Sequence, residues 1–271
     1  MEWEGHVCIV TGAGSGIGEG IAEVFAEAGC EVVIGEISRE RGQAVADRFQ
    51  KEYGRGLFVP TDISVDADCR NLIDETIKAY GKIDTLVNNA GVNFVKPTLE
   101  TTVEDWDRVV NVDLRGTFLC SRYALEQMVK ARKGSIVNIA SVHTKATLGG
   151  AAPYAASKGG VAQMTASMAI EFAPYGIRIN ALSPGLIDTL IWKQIQEAAV
   201  DREPVRQHWF DNIPLGRVGM PREIGQVALY LASDEASYIT GANILADGGM
   251  TALLTSKEHF GSKAVEGKYE L

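Results

Sequence analysis

The chain has 271 residues, 46% hydrophobic and 23% charged, with a formal net charge of −9 at pH 7. This length fits a single large α/β domain, residues 1–271, better than two, and the apolar share is enough for a real core. The acidic balance disfavours nucleic acid or an anionic membrane as the main partner.

No run of about 18 apolar residues occurs, so no membrane-spanning helix is expected. The first six residues carry no basic region, and the apolar stretch Val7 to Val10 is too short for a signal peptide. Cys8, Cys30, Cys69 and Cys120 show no Cys-x-x-Cys spacing, and His6, His143, His208 and His259 lack ligand spacing. The expectation is therefore buried, reduced thiols in a cytoplasmic protein with no metal site.

Short apolar runs alternate with longer helical patterns. Strands are predicted at 7–10, 31–34, 57–59, 85–87, 135–139, 178–182 and 243–246. Helices are predicted at 17–28, 38–53, 67–79, 154–173 and 224–232, with two more filling 103–130. This alternation implies a doubly wound, Rossmann-type parallel sheet of seven strands with helices on both faces. Two segments break it: a partly helical stretch at 186–212 holding Trp192, Trp209 and Phe210, and a polar tail at 251–271. The first is either a candidate substrate lid, because ligands of open parallel sheets bind outside the carboxyl ends of the strands, or a surface helical hairpin.

The first strand runs into Thr11-Gly12-Ala13-Gly14-Ser15-Gly16-Ile17-Gly18 and then a helix. Glycines at 12, 16 and 18 permit a tight turn and close backbone approach to a pyrophosphate. The free N–H groups of the helix N-terminus then face the anion. Glu36 ends the second strand, where a carboxylate accepts hydrogen bonds from the adenosine ribose hydroxyls and repels a 2′-phosphate. With Ser15 rather than a basic residue before Gly16, these features favour NAD over NADP. Further on, Tyr154 and Lys158 stand four residues apart, one helical turn, on a common face. A phenol with an ammonium beside it loses its proton more readily, so the pair is a candidate general acid/base.

Taken in order, Thr11-Gly12-x-x-x-Gly16-x-Gly18, Asn88-Asn89-Ala90-Gly91, Asn111, Ser141, Tyr154-x-x-x-Lys158 and Pro184-Gly185 resemble the short-chain dehydrogenase/reductase family from about Gly5 to Thr251. The resemblance implies a catalytic tetrad of Asn111, Ser141, Tyr154 and Lys158. Tyr154 would be the acid/base and Asn111 would hold a water in a relay through Lys158. It implies Asp62 and Ile63 at the adenine, Asn88 bracing the sheet, and Asn89, Ala90 and Gly91 along the adenosine ribose. Pro184, Gly185, Ile187 and Thr189 would pass beside the nicotinamide carboxamide and pyrophosphate. It also implies a homotetramer built on the helices near 103–130 and 154–173.

Within the family, Ser141-Val142-His143-Thr144-Lys145, Tyr154 to Gly160 and Ala246 to Thr251 resemble bacterial glucose 1-dehydrogenases. That likeness implies oxidation of an aldose at its anomeric hydroxyl, with His143 and Lys145 joining Ser141 and Tyr154 around the sugar; it weakens over 186–212, where Trp192 of the candidate lid is a further candidate substrate contact. The alternatives are a dehydrogenase/reductase for another polyol, secondary alcohol or ketone, a 3-oxoacyl thioester reductase, or a non-catalytic NAD-binding regulatory protein.

Overall fold

The structure is a computed structural model that describes residues 3–197 and 202–254. Val7–Thr11 (β1) is a continuous apolar run, and every residue in it is buried. That is the pattern of a strand covered on both faces. It is followed by Glu31–Glu36 (β2), Leu57–Pro60 (β3), Thr85–Asn88 (β4), Gly134–Ile139 (β5), Ile177–Pro184 (β6) and Asn243–Ala246 (β7). The seven strands form one sheet in the order β3-β2-β1-β4-β5-β6-β7, and each neighbouring pair is parallel. The predicted architecture is therefore the observed one, with strand ends moved by one or two residues.

Parallel strands need crossovers, and helices supply them. Gly16–Ala28 (α1), Arg39–Tyr53 (α2) and Asp66–Tyr80 (α3) match the predicted patterns closely. The region expected to hold two separate helices is one continuous rod. Val103–Val110 (α4) passes through a single π-helical turn, Asn111–Gly116, into Thr117–Ala131 (α5). Ala152–Phe172 (α6) begins with Pro153 inside its first turn, where a missing N–H costs nothing. The predicted lid folds as Leu190–Glu197 (α7) and Arg202–Asp211 (α8), and Pro221–Ala232 (α9) precedes β7. Of the predicted tail, residues 255–271 lie outside the described residues.

Successive strand residues point to opposite faces, so the sheet divides the core. Cys8, Val10, Val32, Ile34, Val137 and Leu182 pack with α1, α2 and α9 through Phe25, Phe49 and Leu231. Ile9, Val33, Leu86, Ile136 and Ile179 pack with α3, α5 and α6 through Leu72, Met128 and Met168. With both faces filled, the edge formed by the carboxyl ends of the strands remains to carry function.

At the opposite edge, His6 is held by Thr85 (Nε2 to Oγ1, 2.9 Å) beside the edge of Trp3. Burial lowers its pKa to about 4, against the pull of the nearby Asp84 carboxylate. Between about pH 6.5 and 4 the unfolded chain therefore binds a proton at this position that the native chain does not. Stability is expected to fall as pH drops through that window, and His6→Gln to flatten the fall. Equal acid-side slopes in thermal melts of the two proteins would refute this.

Candidate active site

The site assembles where strand order reverses, at the carboxyl ends of β1 and β4. One hydroxyl joins the two halves. Thr11 Oγ1 accepts the Asn89 N–H at 3.0 Å and the Ala90 N–H at 3.1 Å, while the Asn89 side-chain amide donates to Thr11 O and Gly12 O at 3.0 and 3.2 Å. Gly12 sits at φ +65°, and a Cβ on it would lie 2.8 Å from Ala90 Cα. A Cβ on Gly18 would overlap both the Gly12 carbonyl oxygen and the Asn89 amide. The glycines are therefore required by backbone meeting backbone.

Asn88 lies beneath this turn as the brace the resemblance implied. Its amide donates to Ser121 Oγ and to Asn138 Oδ1, both at 2.8 Å, and Asn138 passes the chain on to Thr165.

Glu36 is buried against the glycine-rich turn. Oε2 accepts the Gly14 N–H at 3.1 Å, and Oε1 accepts the Ser38 N–H at 3.0 Å and the Arg41 guanidinium at 3.1 Å. Asp62 accepts from the Ser64 N–H and hydroxyl, while buried Ile63 packs where a Cβ on Gly116 would fall. On the other side, Gly185 donates to Ala246 O, and Ile187 is buried and bridges to Gly219. Thr189 Cγ2 comes within 3.4 Å of a Cβ built on Gly16. The loop after β6 thus closes over the turn after β1. The glycine cradle, the helix N-terminus behind Ser15 and a carboxylate at the end of β2 together fit an adenine dinucleotide.

Ser141 caps the turn after β5, its hydroxyl accepting the His143 N–H at 3.3 Å. That turn is tied to β7 by Asn243, whose amide donates to Thr144 Oγ1 at 3.0 Å. His143 is fixed twice more: Nδ1 lies 2.8 Å from Thr147 Oγ1, and its ring meets Tyr154 edge-on with centroids 5.0 Å apart. Burial lowers its pKa. Lys158 is 5% exposed; its ammonium sits 5.6 Å from the centre of the Tyr154 ring and donates to Ile139 O at 3.1 Å.

Two expectations change here. Asn111 opens the π turn and is exposed, whereas Lys158 is buried. The residue that faces Lys158 is Asp113, whose Oδ2 lies 3.6 Å from Nζ and whose Oδ1 accepts the Val92 N–H at 2.8 Å. Asp113 lies four residues after the buried Val109 and so on the same inward face, whereas Asn111 lies two residues away on the outer one. Trp192 is also not an open substrate wall: it is buried, with its ring 6.5 Å from Phe210, and so links α7 to α8. Lys145 is exposed. Thr147 and Arg41, which hold His143 and Glu36, carried no sequence signal of their own.

A family model described as Enoyl-(Acyl carrier protein) reductase matches residues 12–251. The chain belongs to the short-chain dehydrogenase/reductase family. This dehydrogenase/reductase is 42% identical over 259 residues to an uncharacterized oxidoreductase of Thermotoga maritima, covering 94% of this chain and 99% of that one. It is 40% identical over 250 residues to the 3-oxoacyl-[acyl-carrier-protein] reductase FabG of the same organism, covering 92% and 99%. The crystal structure of levodione reductase superposes with a TM-score of 0.88 at 32% identity, covering 92% of this chain and 99% of that one. The short-chain dehydrogenase/reductase described here is thus an oxidoreductase of the CH–OH/carbonyl type that uses a nicotinamide cofactor. Among the described residues no helix is long and apolar enough to cross a membrane.

Gly18→Ala is expected to cost about 1–3 kcal/mol of stability from overpacking and to weaken nucleotide binding with it. An unchanged melting temperature and an unchanged nucleotide affinity would contradict the backbone-contact account.

Proposed function

We propose that the protein is an NAD-dependent dehydrogenase that oxidises a sugar at its anomeric hydroxyl, aldose to lactone. The observation that carries this reading is the Tyr154 ring in contact with both the Lys158 ammonium and the His143 ring. Tyr154 accepts the hydroxyl proton as a phenolate. Lys158 keeps positive charge beside that phenolate and reaches toward the nicotinamide ribose. Ser141 orients the substrate oxygen by a hydrogen bond. When bound, the nicotinamide supplies the hydride acceptor. Positioned proton transfer of this kind is worth about 10²–10⁴-fold in rate.

His143, with its pKa lowered by burial, meets a sugar hydroxyl as a neutral donor or acceptor. That property and the likeness of Ser141 to Lys145 to glucose 1-dehydrogenases support the sugar. A second reading, another polyol, secondary alcohol or ketone, is favoured by the exposure of Lys145 and by the structural likeness to levodione reductase. Reduction of a 3-oxoacyl thioester draws on the likeness to the Thermotoga enzyme. Against it stands Glu36, a buried carboxylate where NADP would place a phosphate. Residues 1–271 are read as one dinucleotide-binding and catalytic domain, with 186–212 as its lid.

The homotetramer reading is supported by apolar side chains left exposed on α5 and α6, among them Phe118 and Ile170. A monomeric mass at micromolar concentration would overturn it.

NADH formation across free sugars, acidic sugars, polyols and secondary alcohols tests the substrate. Tyr154→Phe is expected to bind NAD and lose turnover by about 10²-fold or more; near-native turnover would remove Tyr154 from its role. NAD is expected to bind more tightly than NADP. Glu36→Ser releases Arg41 to meet a 2′-phosphate, and the preference is expected to move toward NADP by about tenfold or more, roughly 1.4 kcal/mol. An unmoved ratio would show that Glu36 does not select the cofactor.

A further inference from the structure

The turn after β5 carries Ser141 and His143, and threonines hold it on either side of the imidazole. We propose that Thr147 is a specificity-determining residue. By holding Nδ1 of His143 it presents Nε2 to a hydroxyl on the substrate carbon next to the reacting one. The site then favours vicinal hydroxyl compounds over simple alcohols. The inference rests on the reading of Tyr154 as the acid/base, and Thr147 acts through His143 as a positioning residue.

Three side chains fix the backbone of the turn. Ser183 Oγ donates to Asn243 Oδ1 at 2.7 Å, and the Asn243 amide donates to Thr144 Oγ1 at 3.0 Å. With the Ser183 proton spent on Asn243, the Thr144 hydroxyl is the donor in its 3.4 Å contact with Ser183 Oγ. Each member of this ring gives one hydrogen bond and takes one, an arrangement in which the bonds strengthen one another. Farther along, the Gly150 carbonyl accepts the Lys96 N–H at 2.9 Å, which ties the loop to the one after β4. Thr147 lies between these two anchors, and its Oγ1 is 2.8 Å from His143 Nδ1. The same ring meets Tyr154 edge-on, with centroids 5.0 Å apart. Among the described residues Nε2 has no hydrogen-bond partner.

A neutral imidazole has one N–H and one lone pair, and burial keeps His143 in that form by lowering its pKa. With Nδ1 engaged by Thr147, Nε2 is left as a donor or an acceptor according to the tautomer. A hydroxyl answers either, since it donates one hydrogen bond and accepts two; a methylene answers neither. A methylene opposite Nε2 would leave a polar atom dehydrated and unpaired, and a site built this way rejects the analogue that lacks the group. Because the imidazole borders the phenol that takes the reacting proton, the group it meets belongs to the neighbouring carbon. In an aldose oxidised at C1 that group is the 2-hydroxyl, and in 2,3-butanediol it is the second hydroxyl. A ring already held by Thr147 is ordered before substrate arrives, so less freedom is lost on binding.

Two matched pairs test this: glucose against 2-deoxyglucose, and 2,3-butanediol against 2-butanol. In whichever pair reacts, the native enzyme is expected to favour the hydroxylated member in kcat/KM by about tenfold or more. Thr147→Val keeps the shape and removes the hydroxyl, and is expected to lower that ratio by about three- to tenfold, with the loss falling on the hydroxylated member. Thr147→Ser is expected to restore it. No native preference, a ratio unmoved by Thr147→Val, or an equal loss on both members overturns the proposal, the last because it marks a purely structural role. A second readout needs no turnover. The full chain is labelled with 15N-histidine, and the His143 ring signals are identified by their loss in His143→Gln. With NADH bound, so that no oxidation occurs, 2,3-butanediol is expected to shift the Nε2 resonance of the native protein more than 2-butanol does, and Thr147→Val to reduce that difference. Equal shifts, or none, overturn the proposal. The expected shifts without turnover of either pair would instead sink the dehydrogenase reading and leave the Thr147 assignment standing.

Discussion

Seven strands that run the same way place all their carboxyl ends on one edge, and the site follows from that constraint. Both faces of the sheet are closed by helices, so the backbone groups and side chains free to meet a ligand gather at this edge. At its centre the strand order reverses between β1 and β4, and the loops there diverge. The Thr11 hydroxyl holds them together by accepting two N–H groups from the loop after β4. The glycines of the first turn are needed because these two backbones touch. The phosphate cradle and the support beneath the acid/base are thus one packing arrangement.

The second constraint is electrostatic. An ammonium as buried as Lys158 needs hydrogen bonds and a counter-charge to offset its lost hydration. The Ile139 carbonyl supplies the first and Asp113 the second. Both come from elements fixed for other reasons: Ile139 ends a central strand, and Asp113 is delivered by a π turn in a long helix. Such turns recur at functional sites, because one extra residue redirects side chains without breaking the rod. Here the redirected side chain carries the charge.

Much of this was legible in the sequence because it depends on short-range rules. Buried strands announce themselves as apolar runs, glycine turns by composition, and Tyr154 and Lys158 by spacing on one helix. Asn111 and Asp113 show where such rules stop. Both lie in an unbroken helical pattern, and a motif resemblance selected the asparagine. The deciding quantity was rotational phase about the helix axis, which Val109 records and which the π turn then adjusts. Trp192 differs from its expectation for a related reason: an aromatic residue in a lid reads the same whether it is open to a ligand or packs on Phe210, and here it is buried beside Phe210.

By itself the sequence determined the parallel seven-stranded architecture, the dinucleotide turn and the Tyr154–Lys158 spacing, since each is written in residues close together in the chain. Tertiary structure alone decided that Asp113 faces Lys158, that Arg41 and Gly14 hold Glu36, and that Thr147 and Asn243 anchor the His143 turn. These contacts join residues on different elements or follow from how a helix is rotated against its neighbours. Their partners become known only when the core is packed.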